Sequence, residues 1–281
     1  MGDVCVTLAR ARQAGPTATA IVSEDPAASG GPSRGRRPVT RKVNVRHAPK
    51  VPGAARNVFV RDPYRDHNPS MEPFTLHTER LALRPFAAPD TDEVFHTVQD
   101  PDILRWTTLP SPYAHEDAVH FVEQISGEGL RTGTGFHFAV RPRDGGPLLG
   151  AVGVGLHLLP GTWELGYWTA RPHRGRGYVT EAAGEVIRWV LTTHAVDRLI
   201  WRAEVGNEPS RAVARKLGFT MEGVQRAGLV NHGTARDTWT GSLLPSDLGL
   251  PALHPYLPAQ ADRDASPVPG RMSVPPSSLP S

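Results

Sequence analysis

The stretch of this chain best suited to chemistry is a loop rich in glycine and arginine, Arg174-Gly175-Arg176-Gly177-Tyr178-Val179. An alternating pattern typical of a strand precedes the loop, and a helical pattern of apolar residues follows it. The first turn of a helix leaves backbone N–H groups without partners, and the helix dipole makes that end positive. Glycine allows a ligand to approach the backbone closely. The loop is therefore predicted to form a cradle for a diphosphate group.

Comparison with known phosphate-binding motifs narrows the type of ligand that the loop is predicted to bind. The loop has no Gly-Lys-Ser/Thr, which a P-loop requires, and no Gly-x-Gly-x-x-Gly within parallel βαβ units. It resembles the coenzyme A loop of the GNAT acetyltransferases, Arg/Gln-x-x-Gly-x-Gly/Ala, with Arg174 in the first place and Gly177 in the middle. Val179 stands where that family usually has glycine or alanine, which puts a branched side chain near the phosphates. A surface turn with solubilising arginines would match so short a motif equally well.

A second motif, downstream of the loop, also resembles the GNAT family. It follows an alternating stretch over residues 198–205, and Asn207 is predicted to cap a short helix that Gly218 ends. The motif resembles the Rim-type GNAT enzymes, which acetylate ribosomal-protein N-termini, and reads Asn207-x-x-Ser210-x-x-x-Ala214-x-Lys216-Leu217-Gly218-Phe219-x-x-Glu222-Gly223. The stretch from Gly175 to Ala182 and the residue Asp237 resemble the same subgroup. The whole resemblance covers roughly residues 76–248.

The resemblance implies a mixed α/β (α+β) GNAT fold. Its centre would be a twisted, mostly antiparallel sheet of about six to seven strands with helices on both faces. The pattern along the chain predicts the order β-α-α-β-β-β-α-β-α-β-β, with one parallel pair where the long helix intervenes. In GNAT proteins these two parallel strands splay apart, and their free main chain holds the pantetheine arm of coenzyme A. That feature carries over to Gly166, Tyr167, Trp168 and Thr169.

The same resemblance implies acetyl-CoA as cosubstrate and a primary amine as acceptor, most simply a protein N-terminal α-amine. The sequence contains neither a His-x-x-x-His motif nor a cysteine cluster, so it implies no metal. The residues predicted to bind the cofactor come from the end of the central strand, the loop and the second motif: Trp168, Thr169, Ala170, Arg174, Gly175, Arg176, Gly177, Tyr178, Val179, Asn207 and Ser210.

Acetyl transfer needs a neutral amine and a protonated leaving thiol. At pH 7, neutralising an α-amine with a pKa near 8 costs about 1.4 kcal/mol, whereas a lysine costs about 4.6 kcal/mol. Glu164, on the central strand, is the candidate base; the alternative is a carboxylate that only pairs with an arginine. In many GNAT enzymes a tyrosine protonates the thiolate, but Ala214 occupies that place here. In the Rim-type subgroup a serine at the Asn-x-x-Ser position can serve as the acid, so the resemblance implies Ser210 as the candidate, and the alternative is hydrogen bonding at its helix start.

Because of one departure from the Rim-type pattern, the sequence does not identify the acceptor substrate. Rim-type enzymes often carry an acidic residue shortly after the Arg226 equivalent, and here residues 227–230 contain none. Three functions therefore compete: acetylation of a protein N-terminus, acetylation of a small amine such as an aminoglycoside or polyamine, and non-catalytic binding of coenzyme A. A small cationic acceptor would require a cleft rich in carboxylates. Glu222 and Asp237 are candidates for orienting the site.

In GNAT folds a helix-loop-helix region borders the acceptor site, and the resemblance implies the same for the early helices of this chain. Asp90 is predicted to cap a helix through Gln99, and a second helix is predicted from His115 to Gly127. The segment between them contains Asp100-Pro-Asp and Leu109-Pro-Ser-Pro and is predicted to be a loop. Trp106 and Tyr113 in this region are predicted to anchor the loop or to line the acceptor pocket.

The two ends of the chain differ in composition from its middle. Residues 1–70 hold twelve Lys and Arg against five Asp and Glu, whereas the remaining residues hold 19 against 23. We predict a basic, disordered leader over residues 1–73, solvated rather than bound to nucleic acid, with Met71 as a candidate initiator. The acetyltransferase domain is predicted over residues 74–248, and a Pro/Ser-rich disordered tail over residues 249–281.

Targeting signals are lacking in this sequence. The N-terminus shows no basic and apolar signal-peptide pattern, and no apolar run reaches the roughly 20 residues of a membrane span. The one cysteine, Cys5, cannot form an internal disulfide and lies in the leader. The protein is therefore predicted to be cytoplasmic, to have no membrane partner, and to act as a monomer or homodimer.

Overall fold

A computed structural model describes residues 73–259 of the chain. The predicted leader up to residue 72, with Met71, and the predicted tail beyond residue 259 lie outside the described residues. Within the described range, no helix combines the length and the apolar character that crossing a membrane requires.

The centre of the fold is one sheet of eight strands. Its neighbouring strands pair antiparallel except for β5 and β6, which are parallel. The mixed, mostly antiparallel architecture is confirmed. One strand more is present than predicted, because the first strand has only two residues and shows no alternation. In the spatial order β1-β2-β3-β4-β5-β6-β8-β7, the strands are β1 (Leu76–His77), β2 (Leu81–Pro85), β3 (Gly135–Pro142), β4 (Gly150–Leu156), β5 (Thr162–Thr169), β6 (Arg198–Glu204), β7 (Thr220–Asn231) and β8 (Thr234–Leu243).

Helices cover both faces of the sheet. On β3, Phe136 and Phe138 face Trp189 of the long helix, whereas His137 between them contacts Phe121 on the opposite side. The side chains of a strand alternate between faces, so these contacts place the long helix and the early helices on opposite faces. The helices are α1 (Thr91–Val98), α2 (Pro101–Trp106), α3 (His115–Val119) continued by a π-helical turn (His120–Ser126), α4 (Gly127–Thr132), α5 (Tyr178–Thr193) and α6 (Glu208–Lys216).

Two local predictions around the early helices differ from the structure. Asp90 and Gln99 are the N-cap and C-cap residues of α1, as predicted, but the Asp90 side chain makes no capping hydrogen bond; its carboxylate instead binds Arg84, Arg141 and the Ala87 N–H. Burial by itself would raise the pKa of Asp90, but these hydrogen bonds outweigh it and hold the pKa below its ordinary value. The segment predicted as a loop contains the helix α2, in which the Asp100 side chain accepts a hydrogen bond from the Asp102 N–H.

A buried histidine makes the fold sensitive to acid. His194 follows α5 and is only 7% exposed, and its ring lies against Phe136, Trp163 and Trp189. Burial lowers the pKa of His194 to about 4. The unfolded chain, with an imidazole pKa of about 6.5, therefore binds the proton first, so stability is lost as pH falls from about 6.5 to 4.

We expect a His194→Leu variant to lose this acid sensitivity. Between pH 7.5 and pH 5, the protein should lose about 2 kcal/mol of stability through this histidine, and the variant should not. Urea unfolding at both pH values measures the difference. Leu191→Ala, a destabilising change on the same helix that retains His194, is the control and should lose as much stability between the two pH values as the unsubstituted protein does. An equal acid loss in His194→Leu and the unsubstituted protein would contradict the assignment.

Candidate active site

The two parallel strands of the sheet separate after a short paired region. Their register covers only three pairs, Thr162–Arg198, Trp163–Leu199 and Glu164–Ile200. From Leu165 to Thr169, β5 pairs with β4 on one side and has no such partner in β6 on the other. The splayed strand pair is therefore present as predicted. Main-chain groups along the free side of β5 can bond to an extended ligand that takes the place of a strand.

The glycine-rich loop lies between the end of β5 and the start of α5. Gly175 and Gly177 have φ of +74° and +75°, a left-handed conformation that glycine adopts without strain. Gly177 is the N-cap of α5 and offers no side chain, so the first-turn N–H groups of the helix stay open to a ligand. A Cβ at Gly175 would meet nothing within 4 Å. The Thr169 hydroxyl, at the end of β5, is buried without a hydrogen-bond partner. These residues fit the diphosphate and the adjoining arm of coenzyme A.

The Arg174 side chain is used inside the protein. It is 9% exposed and pairs with Asp100 at 2.9 Å and with Asp102 at 2.8 Å. Its Nε also donates to the carbonyl oxygen of Thr169. The neighbouring Arg176 is exposed. In this geometry the Arg174 guanidinium holds the loop against α2, and the groups of the cradle that remain open to an anion are backbone N–H groups.

Arg80 lies about a hundred residues before the loop in sequence and contacts it in the folded chain. Arg80 pairs with Glu181 in the first turn of α5, and its Nη1 donates to the Arg176 carbonyl oxygen. The guanidinium also lies 4.8 Å from the centre of the Tyr178 ring. Arg80 thus brings a positive charge beside the cradle. We did not predict this residue, because a contact between residues about a hundred positions apart has no local sequence signal.

The unusual residue of the loop, Val179, has its side chain buried in the protein core. The branched side chain is thereby removed from solvent, where a phosphate would lie, and the departure from the family pattern does not fill the cradle.

Ser210 lies between the two diverging strands. Its side chain is fully buried, and its hydroxyl accepts a hydrogen bond from the Trp201 indole of β6 and donates to the Tyr167 hydroxyl of β5. The Tyr167 hydroxyl in turn donates to the Ser210 carbonyl oxygen at 2.8 Å. The N-cap of α6 is Asn207, as predicted, since its side chain accepts from the Ser210 N–H. The Ser210 hydroxyl is therefore bound to side chains of both strands rather than to the helix start.

Glu164 is buried beside the last paired position of the two strands. Its side chain is 3% exposed, and Arg202 of β6 donates to both of its oxygens, at 3.1 and 3.0 Å. A third bond from Arg202 reaches the Gly228 carbonyl oxygen on β7. The structure thus places the candidate base in a bidentate ion pair.

A second ion pair lies at the end of β6. Arg105 of α2 binds both oxygens of Glu204, and this guanidinium lowers the pKa of the Glu204 carboxyl below its ordinary value. Asn231, at the turn between β7 and β8, donates to the Arg105 carbonyl oxygen. Trp106 lies beside Gly206, where an added Cβ would stand 3.6 Å from its ring. We predicted Trp106 but neither Arg105 nor Glu204.

The remaining candidate residues make internal contacts. Tyr113 is buried, which raises the pKa of its phenol. Glu222 pairs with Arg198 and accepts from the Ser242 hydroxyl, and Asp237 accepts from the Ala227 N–H. Among residues 73–259, no three His, Cys, Asp or Glu side chains are grouped so that they could hold a metal ion.

Comparison with known proteins identifies the family. The model of the acetyltransferase (GNAT) domain matches residues 80–220. The uncharacterized N-acetyltransferase p20 of Bacillus licheniformis is 27% identical over 175 residues, which are 60% of this chain and 96% of that protein. The putative ribosomal N-acetyltransferase YdaF of Bacillus subtilis is 40% identical over 81 residues, 29% of this chain and 44% of that protein.

Solved structures agree on the fold. The structure of RimL, the ribosomal L7/L12 alpha-N-protein acetyltransferase, in complex with coenzyme A, superposes with a TM-score of 0.56 at 16% identity. The superposition covers 61% of this chain and 98% of that one. The family match spans the splayed strands and the cradle, and the chain belongs to the GNAT family of acetyltransferases, as an acetyl-CoA-dependent acyltransferase.

Proposed function

We propose that this enzyme acetylates a protein N-terminal α-amine, with acetyl-CoA bound in the gap between β5 and β6 and its diphosphate at the start of α5. The observation that carries the choice of acceptor is the state of the two buried carboxylates at the gap. Glu164 and Glu204 are each held by an arginine, Arg202 and Arg105. Glu204 also lies 3.9 Å from Arg236, so both carboxylates already have cationic partners within the protein.

A polyamine or an aminoglycoside carries several positive charges and requires several carboxylates that can pair with it. Because an arginine already offsets the charge of each of these carboxylates, they offer such an acceptor little attraction. An α-amine carries a single charge and loses its proton at small cost near neutral pH. The motif from Asn207 to Gly223, together with relatives named as ribosomal N-acetyltransferases, supports a protein acceptor.

The test of the proposal is release of the free thiol from acetyl-CoA in the presence of different acceptors. One set should contain peptides with free N-termini, and the same peptides with blocked N-termini are the matched control. A second set should contain spermidine and an aminoglycoside. We expect thiol release only with the free peptides. Preferential acetylation of the second set would contradict the proposal. Cosubstrate binding with no turnover on any acceptor would favour a non-catalytic binding protein.

The pH dependence of activity distinguishes a role of Glu164 as a general base from a role in positioning alone. Glu164→Gln keeps the shape of the side chain and removes its charge. If Glu164 is the base, the lost activity should return as pH rises past about 8, where the α-amine becomes neutral unaided. The bidentate bond to Arg202 favours positioning, for which we expect a deficit that is equal at every pH.

Initial rates from pH 6.5 to 9.5 on the best peptide measure this difference. The pKa of His157 is lowered by burial, by Arg202 and by Arg198, which moves its titration away from the alkaline part of this range. Glu222→Gln, which removes a carboxylate paired with Arg198, is the matched control. Unchanged turnover in Glu164→Gln at neutral pH would refute both roles.

A further inference from the structure

The short helix α2 joins the ends of the two strands that diverge. At its start, Asp100 and Asp102 bind Arg174, whose Nε donates to Thr169, the last residue of β5. At its end, Arg105 binds Glu204, the last residue of β6, through two hydrogen bonds. Helix α2 is thus tied to both sides of the gap by ion pairs.

Helix α2 is long enough to cross a gap that is one strand wide. Its six residues span about 9 Å at a rise of 1.5 Å per residue. Paired strands lie about 4.8 Å apart, so α2 reaches across about two strand spacings. That is the separation at which one extended chain fits between two strands.

Helices α2 and α6 cover opposite faces of the gap. Alternation along β6 places Glu204 on the face opposite Trp201, whose indole bonds Ser210 of α6. The turn between β7 and β8 contacts the α2 region on the same face of the gap. Asn231 donates to the Arg105 carbonyl oxygen at 3.0 Å, and His232 bonds the Leu109 carbonyl. Asn231 is 5% exposed, and its side-chain oxygen has no partner.

Building on the proposed acetyl transfer, and on the acceptor-side position that the resemblance implies for residues 100–106, here called the α2 strap, we propose that the ion pairs at its two ends hold this wall of the gap in place and that Arg105 and Glu204 are positioning residues for the acceptor. The ion pairs at the two ends fix where the wall lies relative to β5 and β6. An acceptor amine approaching from this face meets the strap beside the thioester. Release of the β6 end lets the wall move and weakens the fit to the acceptor, while the cradle at α5 keeps its grip on acetyl-CoA. Release of the β5 end also frees Arg174 of the cradle loop, so both fits weaken there.

The first test loosens the β6 end. In Glu204→Gln, the KM for the acceptor peptide should rise roughly tenfold to a hundredfold, because small misplacements of a bound reactant are costly. The KM for acetyl-CoA should stay within about twofold, the pattern of a lost acceptor interaction. Arg105→Met should behave alike, and Arg105→Lys, which keeps the charge, should recover part of the loss. Glu208→Gln is the matched control, since its carboxylate pairs with Arg211 within α6 and not with the strap.

The second test loosens the β5 end. The double variant Asp100→Asn/Asp102→Asn should raise the acceptor KM in the same way, although these residues lie about a hundred positions from Glu204. A defect in the acceptor KM that appears at one end only, or a KM for acetyl-CoA that rises in the Glu204 and Arg105 variants as much as that for the acceptor, would overturn the proposal.

Amide hydrogen exchange without any substrate tests the strap independently of the acceptor. Exchange across residues 101–109 should quicken in the variants of both ends, while α5 and the Glu208→Gln control stay unchanged. Quickened exchange with an unchanged acceptor KM would overturn the substrate role. If the unsubstituted enzyme acetylates no peptide at all, the proposed function fails, and unchanged exchange in the variants would separately refute the strap.

Discussion

A Gly177→Val variant is expected to bind acetyl-CoA at least tenfold more weakly, a loss of about 1.4 kcal/mol or more. Gly177 is the N-cap of α5 at φ +75°, where a branched residue is strained. The added side chain would also stand at the open N–H groups that are to receive the diphosphate. Titration calorimetry with acetyl-CoA measures the loss directly.

Backbone strain by itself must be separated from blockage of the cradle. Gly249 offers a matched position, because its φ is +67° and an added Cβ would meet nothing within 4 Å. Gly249→Val should therefore carry similar strain and bind acetyl-CoA normally. Equal affinity in Gly177→Val and the unsubstituted enzyme would overturn the assignment of the cradle.

Ser210→Ala is expected to lower turnover while leaving the KM for acetyl-CoA nearly unchanged. If the hydroxyl protonates the departing thiolate, its loss removes an interaction made mainly in the transition state. General acid help is worth roughly 10²–10⁴-fold, and the lower end applies here because a thiolate leaves readily. The Ser210 proton is held by the Tyr167 hydroxyl, and must turn from it to reach a sulfur between the strands.

Stability measurements show whether Ser210 has only a structural role. Loss of its buried hydrogen bonds should cost about 1 kcal/mol in urea unfolding whatever its catalytic role. Ser242→Ala removes a hydroxyl that donates to Glu222 and serves as the matched control, with a similar stability loss and normal turnover. A Ser210→Ala enzyme that is less stable but turns over normally would refute the proton-donor role.

The elements that carry local periodicity were predictable from the sequence. Alternation over residues 162–169 and 198–205 predicted both central strands, and the N-cap preference of asparagine predicted the start of α6. Helix α2 was missed because six residues starting with Asp100-Pro101 have the composition of a turn, and its stability depends on ion pairs with distant residues. Propensity carries no information about such partners.

The residues of the candidate site also fall into two groups: those that local sequence predicts and those whose partners are distant in sequence. The cradle depends on glycine conformation and a helix start, which are local, so its position followed from residues 174–179 alone. The partners of Glu164, Arg174 and Glu204 come from segments about 40 to 100 residues away and became visible only in the folded chain. A carboxylate or arginine has the same local signal whether it serves catalysis or an ion pair.

The gap between β5 and β6 creates two unpaired strand edges inside a single sheet. Free edges of this kind are templates for pairing with other chains and so for aggregation. Here α6 lies against one face of the gap and α2 against the other, so a foreign polypeptide strand cannot approach broadside. A narrow, flexible ligand arm that carries no side chains can still enter the gap along the direction of the strands. Helices α2 and α6, which cover the two faces of the gap, therefore also protect the unpaired edges of β5 and β6 from pairing with other chains.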